Sequence, residues 1–184
     1  MTHVRAALYS KFPLTLLLAG LVLLTAGCAT TKSDTVLIAD ARAAIVRFVD
    51  SDPGLRDWVD HAHGYAVFPG LGKGGLGVGG AYGNGIVFER GDPIGRSRLI
   101  QGTVGFQIGA QNFAMVVFFQ DEAALTTFQR GNFEFSAQAT AIAASAGVAA
   151  TTSYEKGVAV FILGRGGLMA EASVGGLKFD YSPL

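Results

Sequence analysis

The segment GKGGLGVGGAYGNG, residues 72–85, holds eight glycines in fourteen positions, and its reading decides the fold. So much glycine suits a phosphate-cradling loop, a flexible linker, or a strand with one face stripped of side chains. Gly72-Lys73-Gly74-Gly75-Leu76-Gly77 matches G-x-G-x-x-G, but a dinucleotide loop needs a helix directly after the match. Here the residues continue with a period of two and no helical stripe begins. A P-loop also fails, because Gly74 rather than Ser or Thr follows Lys73, and Val67 stands where the first glycine belongs. Alternation identifies a strand. Gly75, Gly77, Gly79, Ala81, Gly83 and Gly85 share one face, and Leu76, Val78, Tyr82 and Ile86 the other. Strand glycine costs about 0.5–1 kcal/mol relative to alanine. Several on one face require a neighbour, a helix or a tightly coiled sheet segment, that comes close to the main chain.

Before this comb the period is helical. Leu37, Ala41, Ala44, Ile45 and Phe48 form one stripe over 34–50. Asp52, as N-cap, and Pro53 open a second helix reaching about Ala62, with Leu55, Trp58, Val59 and Ala62 on its apolar side. Tyr65 to Phe68 reads as a strand stopped by Pro69-Gly70. Beyond the comb, Arg90 to Gly95 is turn-rich, and strands are expected at 102–110, 115–119, 132–144, 151–163 and 168–174. Gly164 to Gly167 reads as a hairpin turn. Asp121 caps a third helix to Arg130, with Ala124, Leu125 and Phe128 inward and Gly131 at its exit. Helices first and strands after imply an α+β fold, with a strongly curved antiparallel sheet or barrel-like β body packed by short amphipathic helices.

The first 27 residues have the order of a lipoprotein signal. Arg5 and Lys11 precede an uncharged apolar run from Pro13 to Ala26, which ends in Leu24-Thr25-Ala26-Gly27-Cys28. Cys28 is the sole cysteine, so it has no internal disulfide partner and is the expected acylation site. The organisation expected is signal 1–27, tether 28–33 and domain 34–184. Ala29 to Ser33 spans about 17 Å when extended, which keeps the domain beside the bilayer. With Arg5 and Lys11 removed, 12 Lys+Arg face 14 Asp+Glu, a balance that argues against nucleic acid as partner.

Four stretches carry a family resemblance: HAHGYAVFPGLGKGGLGVGGAYGNGIVF (61–88), GTVGFQIGAQ (102–111), FSAQATAIAASAG (135–147) and SYEKGVAVFILGRGGLMAEASVGGLKFDY (153–181). In this order they resemble the SYLF domain family. Its fungal and animal members bind phosphoinositide-containing membranes, and some bind actin; bacterial members are often secreted or lipid-anchored. The resemblance implies phospholipid binding and no reaction. Actin and phosphoinositides do not carry over to a chain with a bacterial lipobox.

Headgroup contact is expected from basic residues beside glycine turns: Lys73, Arg90, Arg96, Arg98 and Arg165. His61 and His63 lack the companions of a metal site. No G-x-S-x-G elbow occurs, and Glu89, Asp92, Glu134, Glu155, Glu171 and Asp180 are scattered. No catalytic residue, metal or cofactor is expected, and the chain is read as a non-enzyme. Phe88, Phe106, Phe118, Phe119, Phe128, Phe161 and Phe179 are assigned to the core. Ala29 after Cys28 resembles the sorting pattern of outer-membrane lipoproteins, so a periplasm-facing outer-membrane location is expected. Membrane phospholipid is the expected partner, with a structural or protein-interaction role in the envelope as the alternative.

Overall fold

A computed structural model describes residues 32–76, 78–104, 111–131, 140–143, 147–164, 172–173 and 177–184. All of them lie in one unit, Lys32–Leu184. Cys28, Phe106, Glu134, Arg165 and Glu171, with 105–110 of the strand expected over 102–110 and most of the strands expected over 132–144 and 168–174, lie outside the described residues, as does the turn expected at Gly164 to Gly167 beyond its first residue.

Helix α1 (Asp34–Ser51) is capped by Ser33, whose side chain accepts from the Val36 N–H, and of the expected stripe it buries Leu37, Ala41, Ala44 and Phe48 and partly buries Ile45. Helix α2 (Leu55–His61) starts later than the sequence suggests. Asp52 is not its cap. The Asp52 carboxylate turns inward and accepts from the N–H groups of Gly54 (3.1 Å) and Ala149 (2.7 Å), tying the α1–α2 corner to a short 3-10 helix at Ala149–Thr151.

The strands are β1 (Gly64–Leu76), β2 (Val78–Glu89), β3 (Asp92–Val104), β4 (Gln111–Phe119), β5 (Thr140–Ala143), β6 (Val158–Gly164), β7 (Ala172–Ser173) and β8 (Leu177–Pro183). Helix α3 (Glu122–Gln129) follows β4; Asp121 caps it, Ala124, Leu125 and Phe128 are buried, and Gly131 leaves it at φ +69°. The strand order is β7-β5-β6-β4-β1-β2-β3-β8. From β6 to β8 every pairing is antiparallel, whereas β5 joins β6 in parallel. The chain is thus α+β with an antiparallel sheet and three helices among the described residues. The sheet does not close into a barrel. Residues 151–157, expected to be strand, instead finish the 3-10 helix and lead into β6, and β8 is a strand that the sequence reading did not include.

The glycine comb is a hairpin rather than a single strand: β1 and β2 pair from Gly64↔Glu89 to Leu76↔Val78. Nor does Pro69-Gly70 stop β1. From Val67 to Gly72 β1 advances five residues where β2, from Ile86 to Tyr82, advances four. The extra residue forms a bulge, which absorbs a proline that has no N–H to pair. A bulge also reverses side-chain phase. Before it Val67 faces the helices and Phe68 the opposite side; after it Leu71 joins Phe68 and Gly72 faces outward. A second register shift sits at Pro93 in β3.

The bulged backbone is what presses on the bare face. A β-carbon on Gly85 would meet the Val67 carbonyl oxygen at 2.6 Å and the Phe68 ring at 2.7 Å; one on Gly83 would meet the Gly70 carbonyl oxygen at 2.7 Å. The close neighbour is therefore the adjacent strand and not a helix.

Both sheet faces are covered. Outside, α1 and α2 lie over Tyr65, Val67, Ile86, Phe88, Phe118 and Phe161. Inside, α3 packs with Phe68, Leu99, Phe119 and Phe179. Flat strands β1 and β8 would stand about 14 Å apart, at roughly 4.8 Å per strand. The rings of Phe68 and Phe179 nevertheless meet at 5.6 Å, with Phe128 5.1 Å from Phe179, so the sheet bends around this interior. The described phenylalanines of the expected set are all buried.

Two outcomes are expected. Gly85→Ala lowers unfolding stability by about 1–3 kcal/mol through overpacking against backbone, whereas Gly70→Ala, with nothing within 4 Å, changes it by less than about 0.5 kcal/mol; urea unfolding distinguishes them. Burial would raise the Asp52 pKa, but hydrogen bonds from the N–H groups of Ala149, Gly54, Gly147 and Val148 outweigh it and hold the pKa below its ordinary 3.8. The ionised form is the one favoured by folding, so this stabilisation is complete above that value and is lost as pH falls through the folded-state pKa. The urea midpoint of the wild type should drop more steeply below about pH 4 than that of Asp52→Asn.

Candidate functional site

The helices cover only part of the outer face. They shield the rows containing Ile86 and Phe88, and further along the same strands the face opens. One row there is continuous across five strands. Asn112 pairs with Gly72, Gly72 with Tyr82, Tyr82 with Ile100, and Ile100 with Lys178. All five residues are exposed. Tyr82 is 52% and Ile100 45% accessible, and they are cross-strand partners on one face, where side chains pack as a pair. Exposed apolar side chains are ordinary singly, but an adjacent aromatic and aliphatic pair makes a patch that water solvates poorly. In the neighbouring row Arg98 stands between Asn84 and Asp180. The patch is thus apolar at its centre, with Arg98 and Lys178 beside it and Asp180 opposing them. Gly72 contributes flatness: a β-carbon there would meet only the Asn112 side chain, at 3.8 Å.

Of the five basic residues singled out from the sequence, the three whose side chains are described, Arg90, Arg96 and Arg98, do not converge. Lys73 lies one row from Tyr82, its backbone paired with Ala81 and Gln111. Arg98 is exposed beside the patch. Arg90 occupies the β2–β3 hairpin tip, where it and Gly91 both have positive φ (51° and 89°), as a two-residue type I′ turn demands. That tip is six residues from Asn84 along β2, about 20 Å. Arg96 is engaged inside the domain. Its guanidinium pairs with Asp34 and donates to the Lys32 carbonyl at 2.6 Å, and so clamps the entry of α1 onto β3. Arg165 lies outside the described residues.

The histidines are separated. His61 closes α2 and pairs with Asp57 at 3.0 Å; the Asp57 carbonyl first, then its carboxylate, raise the His61 pKa. His63 meets Glu89 at 2.9 Å at the foot of the β1–β2 hairpin. Among the described residues no three His, Cys, Asp or Glu side chains are placed to hold a metal, and no helix is long and apolar enough to cross a membrane.

The Tyr82–Ile100 pairing escaped the sequence reading, which placed Tyr82 on the non-glycine face but had neither the hairpin nor the register. The signal was present in part: Tyr82 is the only aromatic residue within the comb.

Residues 100–181 match the family described as Ysc84, Las17-binding protein actin regulator. Residues 100–181 are thus a match to the SYLF (Ysc84) domain. It is also 25% identical over 142 residues to "Beta cell expansion factor A" of Aeromonas veronii, an alignment covering 76% of this chain and 53% of that protein. The chain therefore spans about half the length of the curated relative it matches. The matched segment contains Ile100, β4, α3, β6 and most of β8. Strands β1 and β2, with the comb and Tyr82, precede it.

Arg96→Ala is expected to cost no more than about 1 kcal/mol of unfolding stability, since its ion pair is partly exposed. It should raise amide exchange in the first turn of α1 without altering exchange in β4, which hydrogen-exchange mass spectrometry reads directly.

Proposed function

We propose that this chain is a lipid-anchored protein of a bacterial envelope whose SYLF domain lies against phospholipid through the open outer face of β2, β3 and β8. The observation that carries this reading is the exposed Tyr82–Ile100 pair, flanked by Arg98 and Lys178 on a flat, glycine-backed row. An aromatic ring, an aliphatic chain and two cations suit the boundary between headgroups and acyl chains, where amphipathic side chains settle. The family match supports a binding domain, and the reading proposed is one of binding.

The anchor proposed is Cys28, acylated after removal of residues 1–27 and placed at the outer membrane facing the periplasm. Arg96 holds Lys32 on the same outer face as Arg98 and Ile100, because alternate residues of β3 share a side. From Cys28 to Lys32 is four residues, about 14 Å fully extended. An anchor at Cys28 would keep the domain within that reach of the bilayer, and the short tether would raise the effective lipid concentration to the order of mM. Weak intrinsic affinity is then sufficient. The opposing charge of Asp180 makes apolar contact, rather than attraction to anionic headgroups, the larger contribution.

Liposome co-sedimentation of the Cys28→Ser chain without residues 1–27 tests the reading. Binding should persist in zwitterionic vesicles and fall only modestly with salt. Replacing both Tyr82 and Ile100 by serine should weaken partitioning about thirtyfold, since each half-exposed side chain contributes on the order of 1 kcal/mol. Sedimentation unchanged by the double substitution would remove the patch from the proposal. No sedimentation, combined with cross-linking to one envelope protein, would favour a protein-interaction role instead.

A further inference from the structure

At the opposite end of the strands from the exposed patch, a cleft of about 630 Å³ opens between α2, the residue after β4 and the segment following the 3-10 helix; Asp57, Trp58, His61, Gln120, Ser153 and Tyr154 line it. Its size falls within the range of small-ligand sites, about 300–1,000 Å³. Two aromatic rings form one wall. Trp58 and Tyr154 have centroids 4.7 Å apart and planes inclined at 50°, a V rather than a stack. The indole is fixed in place: its Nε1–H donates to the Ala149 carbonyl at 3.2 Å, and Phe161 backs it edge-on at 5.2 Å. The 3-10 helix that receives this bond is itself held by buried Asp52. The aromatic wall is therefore braced through Ala149 and Asp52.

The ionisable pair of the cleft is Asp57 with His61. Asp57 is the sole carboxylate among the lining residues and His61 the sole base; Gln120, Thr152, Ser153 and Tyr154 are neutral. Tyr154 stays a phenol at any ordinary pH, because burial pushes its pKa up to about 12. The His61 Nδ1 lies 3.0 Å from the Asp57 carboxylate, orienting it at the mouth. Asp60, on the outer turn of the same helix, adds negative potential at His61.

Electron-rich ring faces beside a carboxylate attract a cation, and one with alkyl groups most of all, because it is desolvated easily and also fills apolar volume. We infer that this cleft binds a small organic ammonium ion, with the cation against Trp58 and Tyr154 and its charge balanced by Asp57. The lined space is too polar at its rim for a purely apolar ligand, and its carboxylate repels anions. Ammonium of this kind is presented by a zwitterionic lipid headgroup or by a free solute such as choline. The inference does not rest on the membrane reading, since the cleft and the Tyr82–Ile100 patch are separate surfaces.

Trp58 is the only tryptophan, so its emission reports on this cleft alone. The experiment titrates the full chain, in a maltoside detergent, with choline chloride, tetramethylammonium chloride and sodium chloride at matched ionic strength. The two organic ammonium salts should produce a saturable change in Trp58 emission in the millimolar range, and sodium chloride should not. Asp57→Asn, at a site whose side chain is 82% exposed and so leaves folding intact, should weaken choline binding about tenfold. Tyr154→Leu should do the same while leaving Trp58 bonded to Ala149. Zwitterionic phosphatidylcholine vesicles that reproduce the emission change, where phosphatidylglycerol vesicles do not, would assign the ammonium to a headgroup; a response to free choline alone would assign it to a solute. A non-saturating response, the same response with sodium chloride, or unchanged choline affinity in Asp57→Asn would overturn the inference, whatever liposome sedimentation shows.

Discussion

The contact of the bulged β1 backbone with the side-chain-free face of β2 is the constraint on which the rest of this domain depends. The Val67 and Gly70 carbonyls occupy the space that β-carbons on Gly85 and Gly83 would need. This proximity lets β1 carry one extra residue without losing its pairing on either side, with β2 or with β4. The extra residue reverses the phase of the strand, so Phe68 and Leu71 both face inward although they are three apart. The interior in turn needs them there, because Phe68 meets Phe179 from the far side of the bend. Proline, glycine and sheet curvature are thus one device rather than three local features.

Sequence periodicity revealed the parts of this design that are local. The α1 stripe, the cap of α3 and its glycine exit follow from 3.6-residue spacing and capping chemistry, and all lie where the spacing puts them. The side-chain-free face was legible as well, because alternation survives a hairpin: paired residues such as Gly75 and Gly79 stay on one side. What was not legible involves partners distant in the chain. Asp52 has the look of an N-cap, since Asp-Pro so often opens a helix, yet Ala149, 97 residues later, takes its carboxylate. Pro69-Gly70 resembles a stop signal, and only two flanking strands convert it into a bulge. β8 was left out of the sequence reading although Leu177, Phe179 and Tyr181 alternate with Lys178, Asp180 and Ser182; its pairing comes from β3, about 80 residues earlier.

The candidate surface shows the same division. Basic residues next to glycine turns were visible as types but not as places. Register puts Arg98 beside an apolar pair, sends Arg90 to a distant hairpin tip and commits Arg96 to the start of α1. Arg96 thereby acquires a different meaning: by gripping Asp34 and the Lys32 carbonyl it determines where the chain enters the domain. The family match begins at residue 100, so the comb hairpin and Tyr82 lie before it, and the exposed row is assembled from strands on both sides of that boundary.

Strand β8 has a last consequence. It forms one border of the sheet, where unpaired amides and carbonyls invite another chain to add itself. Lys178, Asp180 and Ser182 project from it in alternation, all exposed, and Pro183 removes a donor at its end. A second copy arriving antiparallel would have to bury these unlike charges in a single fixed alignment and forgo a hydrogen bond at the terminus. Charged side chains and a terminal proline of this kind are the features by which edge strands resist pairing with another chain.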